Sequence, residues 1–118
     1  MAKILVVEDT PDNMRLFRTI LRRQGHDVVE LPSGERLLEV AHEAKPDLVL
    51  LDIQLPGRDG YQLLADLRGS ESESLKIVAL TAHAYEADQS RAMAAGFDGY
   101  ITKPIDVREF PGQVARYL

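Results

Sequence analysis

Five polar residues could do chemistry together: Glu8, Asp9, Asp52, Thr81 and Lys103. Each lies at the end of a short apolar run: Ile4–Val7, Asp47–Leu51, Ile77–Leu80 and Gly99–Thr102. Three carboxylates brought together repel one another unless one is protonated or a cation sits among them. A hard divalent ion with oxygen ligands suits such a set, and Mg²⁺ is the abundant candidate. A carboxylate beside that ion can attack phosphorus and form an aspartyl phosphate. The metal then offsets charge on the transferring group, while Lys103 pairs with a second phosphate oxygen and Thr81 donates to a third. This chemistry uses every polar residue in the set. Ser-His-Asp catalysis and a histidine metal site do not, because His26, His42 and His83 fall in different segments.

These residues converge only if the apolar runs are neighbouring parallel strands. The runs are continuous rather than alternating, as strands buried on both faces require. A weaker strand is expected at Asp27–Leu31. Amphipathic segments separate the strands. Thr10-Pro11 is a plausible N-cap and first helical position for a helix to Gln24. Its expected inner face carries Asn13, Phe17, Ile20, Leu21 and Gln24, and Gly25 stops it. A second helix is expected from Ser33 to Lys45-Pro46, with Leu37, Leu38 and Ala41 inward. The third spans Tyr61–Arg68 after the turn-rich 56–60, and Gly69–Ser74 reads as a polar loop. The fourth spans Ala84–Ala95 and stops at Gly96. The last spans Asp106–Leu118, with Asp106 and Glu109 forming a capping pair. Pro111 conflicts with an interior helical position, so this helix either starts near Phe110 or has an irregular first turn. The pattern is an α/β fold, a doubly wound five-stranded parallel sheet with five helices. All five polar residues then lie at the carboxyl edge, where open α/β sheets bind ligands.

The chain has 118 residues, a length that fits one domain. Hydrophobic residues are 45% and charged residues 28%, an ordinary globular composition. A net charge of −5 disfavours nonspecific binding to nucleic acid or anionic membranes. There is no cysteine, which excludes disulfides, cysteine metal sites and thiol catalysis and fits a reducing compartment. No apolar run approaches a membrane span, and the N-terminus lacks a signal-peptide layout, so a cytoplasmic location is expected.

Four segments together resemble the receiver domain of two-component response regulators. They are VVEDT (6–10), LLDIQLPGRDG (50–60), ALTAHA (79–84) and GYITKPI (99–105). Within that family the chain is most similar to DivK-like single-domain regulators and to receivers of hybrid histidine kinases, on Asn13 and on LTAHA around Thr81. The resemblance covers essentially the whole chain and implies a flavodoxin-like strand order 2-1-3-4-5. It implies that Asp52 accepts a phosphoryl group from a phosphohistidine. Asp9 and Asp52 would ligate Mg²⁺ directly, Glu8 through water, and Gln54 through its backbone carbonyl. Glu8 stands where many members carry aspartate. Thr81, the Ala82 amide and Lys103 would hold the phosphate, and the Lys103-Pro104 bond would be cis. Tyr100 would turn inward as Thr81 moves, reshaping a face with Ala84, Tyr85 and Val107. Gln54 and His83 would tune phosphate lifetime. Asn13, Met14 and Ile105 would meet the partner, with Met14 expected on the exposed side of its helix.

The expectation is thus a receiver over 1–118 with no effector domain. It is phosphorylated by a histidine kinase or phosphotransfer protein and binds a downstream protein, as a monomer or weak homodimer. It would catalyse only its own phosphorylation and dephosphorylation. The alternatives are a relay intermediate or a receiver belonging to a hybrid kinase. An aspartate-nucleophile phosphatase is disfavoured, since its acid/base aspartate would fall at Gln54. A nucleotide-binding domain is disfavoured by the lack of a Gly-rich phosphate loop.

Overall fold

The computed structural model describes residues 2–57, 59–70, 75–82 and 85–118. Its elements are β1 Lys3–Val7, α1 Pro11–Arg23, β2 Asp27–Leu31, α2 Leu37–Ala44, β3 Leu48–Asp52, α3 Gly60–Ser70, β4 Lys76–Thr81, α4 Glu86–Ala95, β5 Gly99–Thr102 and α5 Phe110–Ala115. The strands form one parallel sheet in the order β2-β1-β3-β4-β5. That is the fold the sequence implied.

Pleating sends alternate residues to opposite faces of the sheet. Leu5, Val7, Val49, Leu51, Ile77 and Ala79 pack with α2, α3 and α4 on one face. Ile4, Val6, Leu48, Leu50, Val78 and Leu80 pack with α1 and α5 on the other. Both sets must be apolar, which explains the unbroken hydrophobic runs. Phe17 of α1 stacks on Phe110 of α5 with ring centroids 5.5 Å apart. Such a pair contributes about 1 kcal/mol beyond its buried area.

The helices differ from expectation in instructive places. The buried face of α1 is Met14, Phe17, Ile20 and Leu21. Met14 is only 7% exposed, which corrects the expectation of an outward Met14. The helix turns so that its methionine meets the core, while Asn13 lies half-buried and Gln24 is exposed. The Thr10 side chain makes no capping bond. Helix α2 starts at Leu37 rather than Ser33, because a turn in which the Leu37 amide donates to the Gly34 carbonyl (3.2 Å) occupies the preceding residues. Leu38 is 40% exposed rather than inward. Gly69 and Ser70 belong to α3, and the rest of the expected polar loop, 71–74, lies outside the described residues. Helix α4 is described from Glu86, and its expected start, Ala84, lies outside the described residues.

Helix α5 is shorter than the expected span. The Asp106 carboxylate accepts from the amides of Arg108 (2.8 Å) and Glu109 (3.3 Å), so it caps a turn that precedes the helix. Regular helix begins at Phe110 and puts Pro111 in the first turn, where no amide donor is needed.

Candidate functional site

Strand register assembles the site. Val7 pairs with Leu51, so Glu8 comes next beside Asp52. Asp52 pairs with Leu80, leaving Thr81 one step beyond. Thr81 pairs with Thr102, so Lys103 follows on. The Lys103 amide donates to the Thr81 carbonyl at 2.7 Å. The Lys103-Pro104 bond is cis, as the resemblance implied.

The side chains then meet. Lys103 Nζ donates to Asp52 Oδ2 at 2.8 Å and to Glu8 Oε1 at 3.1 Å. The Thr10 amide donates to Glu8 Oε2 at 3.2 Å, and Asn13 Nδ2 donates to Glu8 Oε1 at 3.3 Å. The Gln54 amide donates to Asp52 Oδ1 at 2.8 Å. Glu8, Asp52 and Thr81 are all buried, at 1%, 1% and 3% exposure. Asp9 lies exposed beside them. Burial pushes the Glu8 carboxyl above its ordinary value, against the pull of the Thr10 amide and Lys103, and the charge of Asp52 adds to the rise. Burial also pulls Lys103 down, but the hydrogen bond and charge of Asp52, then those of Glu8, outweigh it and hold the ammonium above its ordinary value.

The donor set fits a hard cation. Glu8, Asp9 and Asp52 each offer a carboxylate oxygen, and these oxygens lie within 4.8 Å of one another. An all-oxygen set of that size suits Mg²⁺. The loop that shapes it depends on Gly60, where a Cβ would run into the Ile53 backbone. The Gly60 amide donates to the Ile53 carbonyl at 3.3 Å, which holds the start of α3 against the residue after Asp52.

The remaining expected residues are placed as follows. Ala82 is exposed immediately after Thr81, and His83 lies outside the described residues. Tyr100 is half-buried, and its hydroxyl donates to Gln89 Oε1 of α4 at 2.6 Å. Tyr85 and Val107 are exposed. Ile105 is half-buried against the same core as Met14. Sequence reasoning missed the Asn13–Glu8 bond, the Gln89–Tyr100 bond and the need for Gly60. Only the first left a trace, an amide side chain in the helical turn following the acidic pair.

A doubly wound parallel sheet whose carboxyl edge gathers three carboxylates, a threonine and a lysine defines a receiver-type α/β domain. Residues 4–115 match the response regulator receiver domain family, and the chain belongs to that family of two-component signalling proteins. Over 116 residues it is 36% identical to the polar-differentiation response regulator DivK of Brucella ovis, covering 98% of this chain and 94% of that protein. The BeF3-activated receiver domain of Klebsiella pneumoniae RstA is 37% identical, with a TM-score of 0.88 over 98% of this chain and 97% of that one. The receiver domain of the Pseudomonas aeruginosa PAO1 sensor histidine kinase PA1611 is 32% identical, with a TM-score of 0.87 over 98% and 96%. That structure holds a magnesium ion in its active site cleft. Among the described residues of the present chain, no helix is long and apolar enough to cross a membrane.

Proposed function

We propose that this receiver takes a phosphoryl group on Asp52 in a Mg²⁺-dependent reaction and uses it to switch a protein-binding face. The observation that carries the reading is Lys103, held between the buried carboxylates of Asp52 and Glu8. The donor is a phosphohistidine on a histidine kinase or phosphotransfer protein. An Asp52 oxygen forms the new O–P bond as the P–N bond breaks, and the imidazole leaves. Asp9, Asp52 and the Gln54 carbonyl would hold Mg²⁺ directly and Glu8 through water, and the ion would supply positive charge to offset that on the phosphoryl oxygens. Lys103, the Thr81 hydroxyl and the Ala82 amide meet those oxygens. No other substrate is turned over. The protein acts in the cytoplasm, in keeping with its cysteine-free composition.

Phosphorylation adds about −1.5 to −2 charge and strong acceptors to the strand end. Thr81 moves toward them, Tyr100 turns inward, and the face bearing Tyr85 and Val107 changes shape. The modification shifts a population between two states of one fold. Asn13 and Ile105 lie half-buried at the donor's side, while Met14 packs in the core beneath them and does not reach the partner. Gln54 and His83 adjust how long the phosphate survives.

The test is amide NMR of the protein with Mg²⁺ and beryllofluoride, a mimic of an acyl phosphate. Shifts at Thr81, Tyr85, Tyr100 and Val107 that are absent in Asp52→Asn support the reading. No shifts beyond those caused by Mg²⁺ alone overturn it.

A further inference from the structure

Glu8 is a buried carboxylate that needs donors, since its side chain is 0% exposed. An ionised carboxylate left short of partners in such a place is costly. Oε2 receives the Thr10 amide. Oε1 receives Lys103 Nζ at 3.1 Å and Asn13 Nδ2 at 3.3 Å. Lys103 is shared with Asp52, at the shorter distance of 2.8 Å. A carboxylate only accepts, so the amide nitrogen of Asn13 must be the end that faces it.

Chain geometry explains how Asn13 gets there. The chain leaves β1 at Val7, turns through Asp9 and Thr10, and enters α1 at Pro11. The first turn of α1 therefore comes back over Glu8, and Asn13 stands on its inner edge. Its amide donates without adding positive charge. An arginine or lysine there would also satisfy Oε1, but it would repel a divalent ion from the same carboxylates.

We propose that Asn13 is a positioning residue for the metal site: it fixes the Glu8 carboxylate toward Mg²⁺ and keeps it fixed when Lys103 is drawn to the phosphoryl group. This rests on the receiver reading above and assigns Asn13 a role inside the site in addition to its place at the donor's side. Groups that orient metal ligands typically change metal affinity by about 10–100-fold when removed.

The test is isothermal titration of Mg²⁺ into the full chain. Asn13→Ala is expected to weaken Mg²⁺ binding about tenfold. In a Glu8→Asp background the shorter carboxylate is out of Asn13's reach, and the same substitution is expected to change affinity by about twofold or less. In a Lys103→Ala background the loss is expected to exceed that in the wild type, because Asn13 then remains as the side-chain donor to Oε1. A merely structural role for Asn13 would weaken binding equally in all three backgrounds and would overturn the proposal. Wild-type affinity in Asn13→Ala overturns it too, and leaves the receiver reading standing if the wild type binds Mg²⁺. Failure of the wild type itself to bind Mg²⁺ would overturn both. Thermal unfolding without metal checks the fold, and Asn13→Leu, equal in shape but without a donor, replaces the alanine variant if that one does not fold.

Discussion

Lys103 and Asp52 stand 51 positions apart in the chain, yet they form an ion pair of 2.8 Å at the carboxyl edge of the sheet. The ammonium sits where a divalent ion would also be drawn, since it touches Glu8 as well. The two cations compete for the same carboxylates. Lys103→Ala is therefore expected to bind Mg²⁺ several-fold more tightly while its labelling by a small phosphodonor falls. Calorimetry and intact mass check the two effects separately. Weaker Mg²⁺ binding in the variant would contradict the account of the pair.

Gly60 lets α3 start against Ile53, the residue after Asp52. Gly60→Ala forces the loop after β3 away from its place. Overpacking of this kind costs about 1–3 kcal/mol. The variant is expected to lose that much by urea unfolding and also to bind Mg²⁺ more weakly, because the loop carries the Gln54 backbone. Stability loss with unchanged Mg²⁺ affinity would show that the loop moves independently of the metal site.

The Tyr100 hydroxyl is held by Gln89 of α4. Helix α4 buries Ala92 and little else, so polar contacts such as this one carry much of its attachment. A neutral hydrogen bond contributes about 1 kcal/mol, roughly a fivefold change in an equilibrium. Gln89→Ala is expected to raise the ratio of inward to outward Tyr100 by about that factor. Fluorotyrosine NMR would register it, and an unaltered Tyr100 signal would count against Tyr100 as the moving group.

Arg68 ties three segments together. It donates to the carbonyls of Leu75 (2.6 Å) and Gly96 (2.8 Å) and to Asp98 Oδ2 (2.8 Å). Asp98 Oδ2 also accepts the amide of Ile77 at 2.8 Å. Asp98→Ala leaves a β4 amide and a guanidinium without that acceptor. The expected loss is about 2 kcal/mol, or about 10 °C in Tm for a domain of this size. A fall of under about 2 °C would mean that water replaces the carboxylate at no cost.

Much of this protein is legible in its amino-acid sequence. Continuous apolar runs at Ile4–Val7 and Leu48–Leu51 demand strands covered on both faces, and parallel strands put Glu8, Asp52, Thr81 and Lys103 on one edge. What is not legible depends on how elements approach one another. Met14 and Asn13 are adjacent, and periodicity alone places the wrong one inward; the core takes Met14 and the site takes Asn13. Gly60 reads as a turn residue, and only the approach of Ile53 makes it a packing requirement. Asp106 reads as a helix cap, but Pro111 moves regular helix on to Phe110, so Asp106 caps the preceding turn instead.

The central claim is that Asp52 is a Mg²⁺-dependent phosphoryl acceptor. The most direct measurement is intact mass after incubation with acetyl phosphate, with and without Mg²⁺, for the wild type and Asp52→Asn. The account predicts a single phosphoryl adduct on the wild type that needs Mg²⁺ and is absent from the variant. An adduct that persists in Asp52→Asn, or none on the wild type even in rapidly quenched samples, would contradict it.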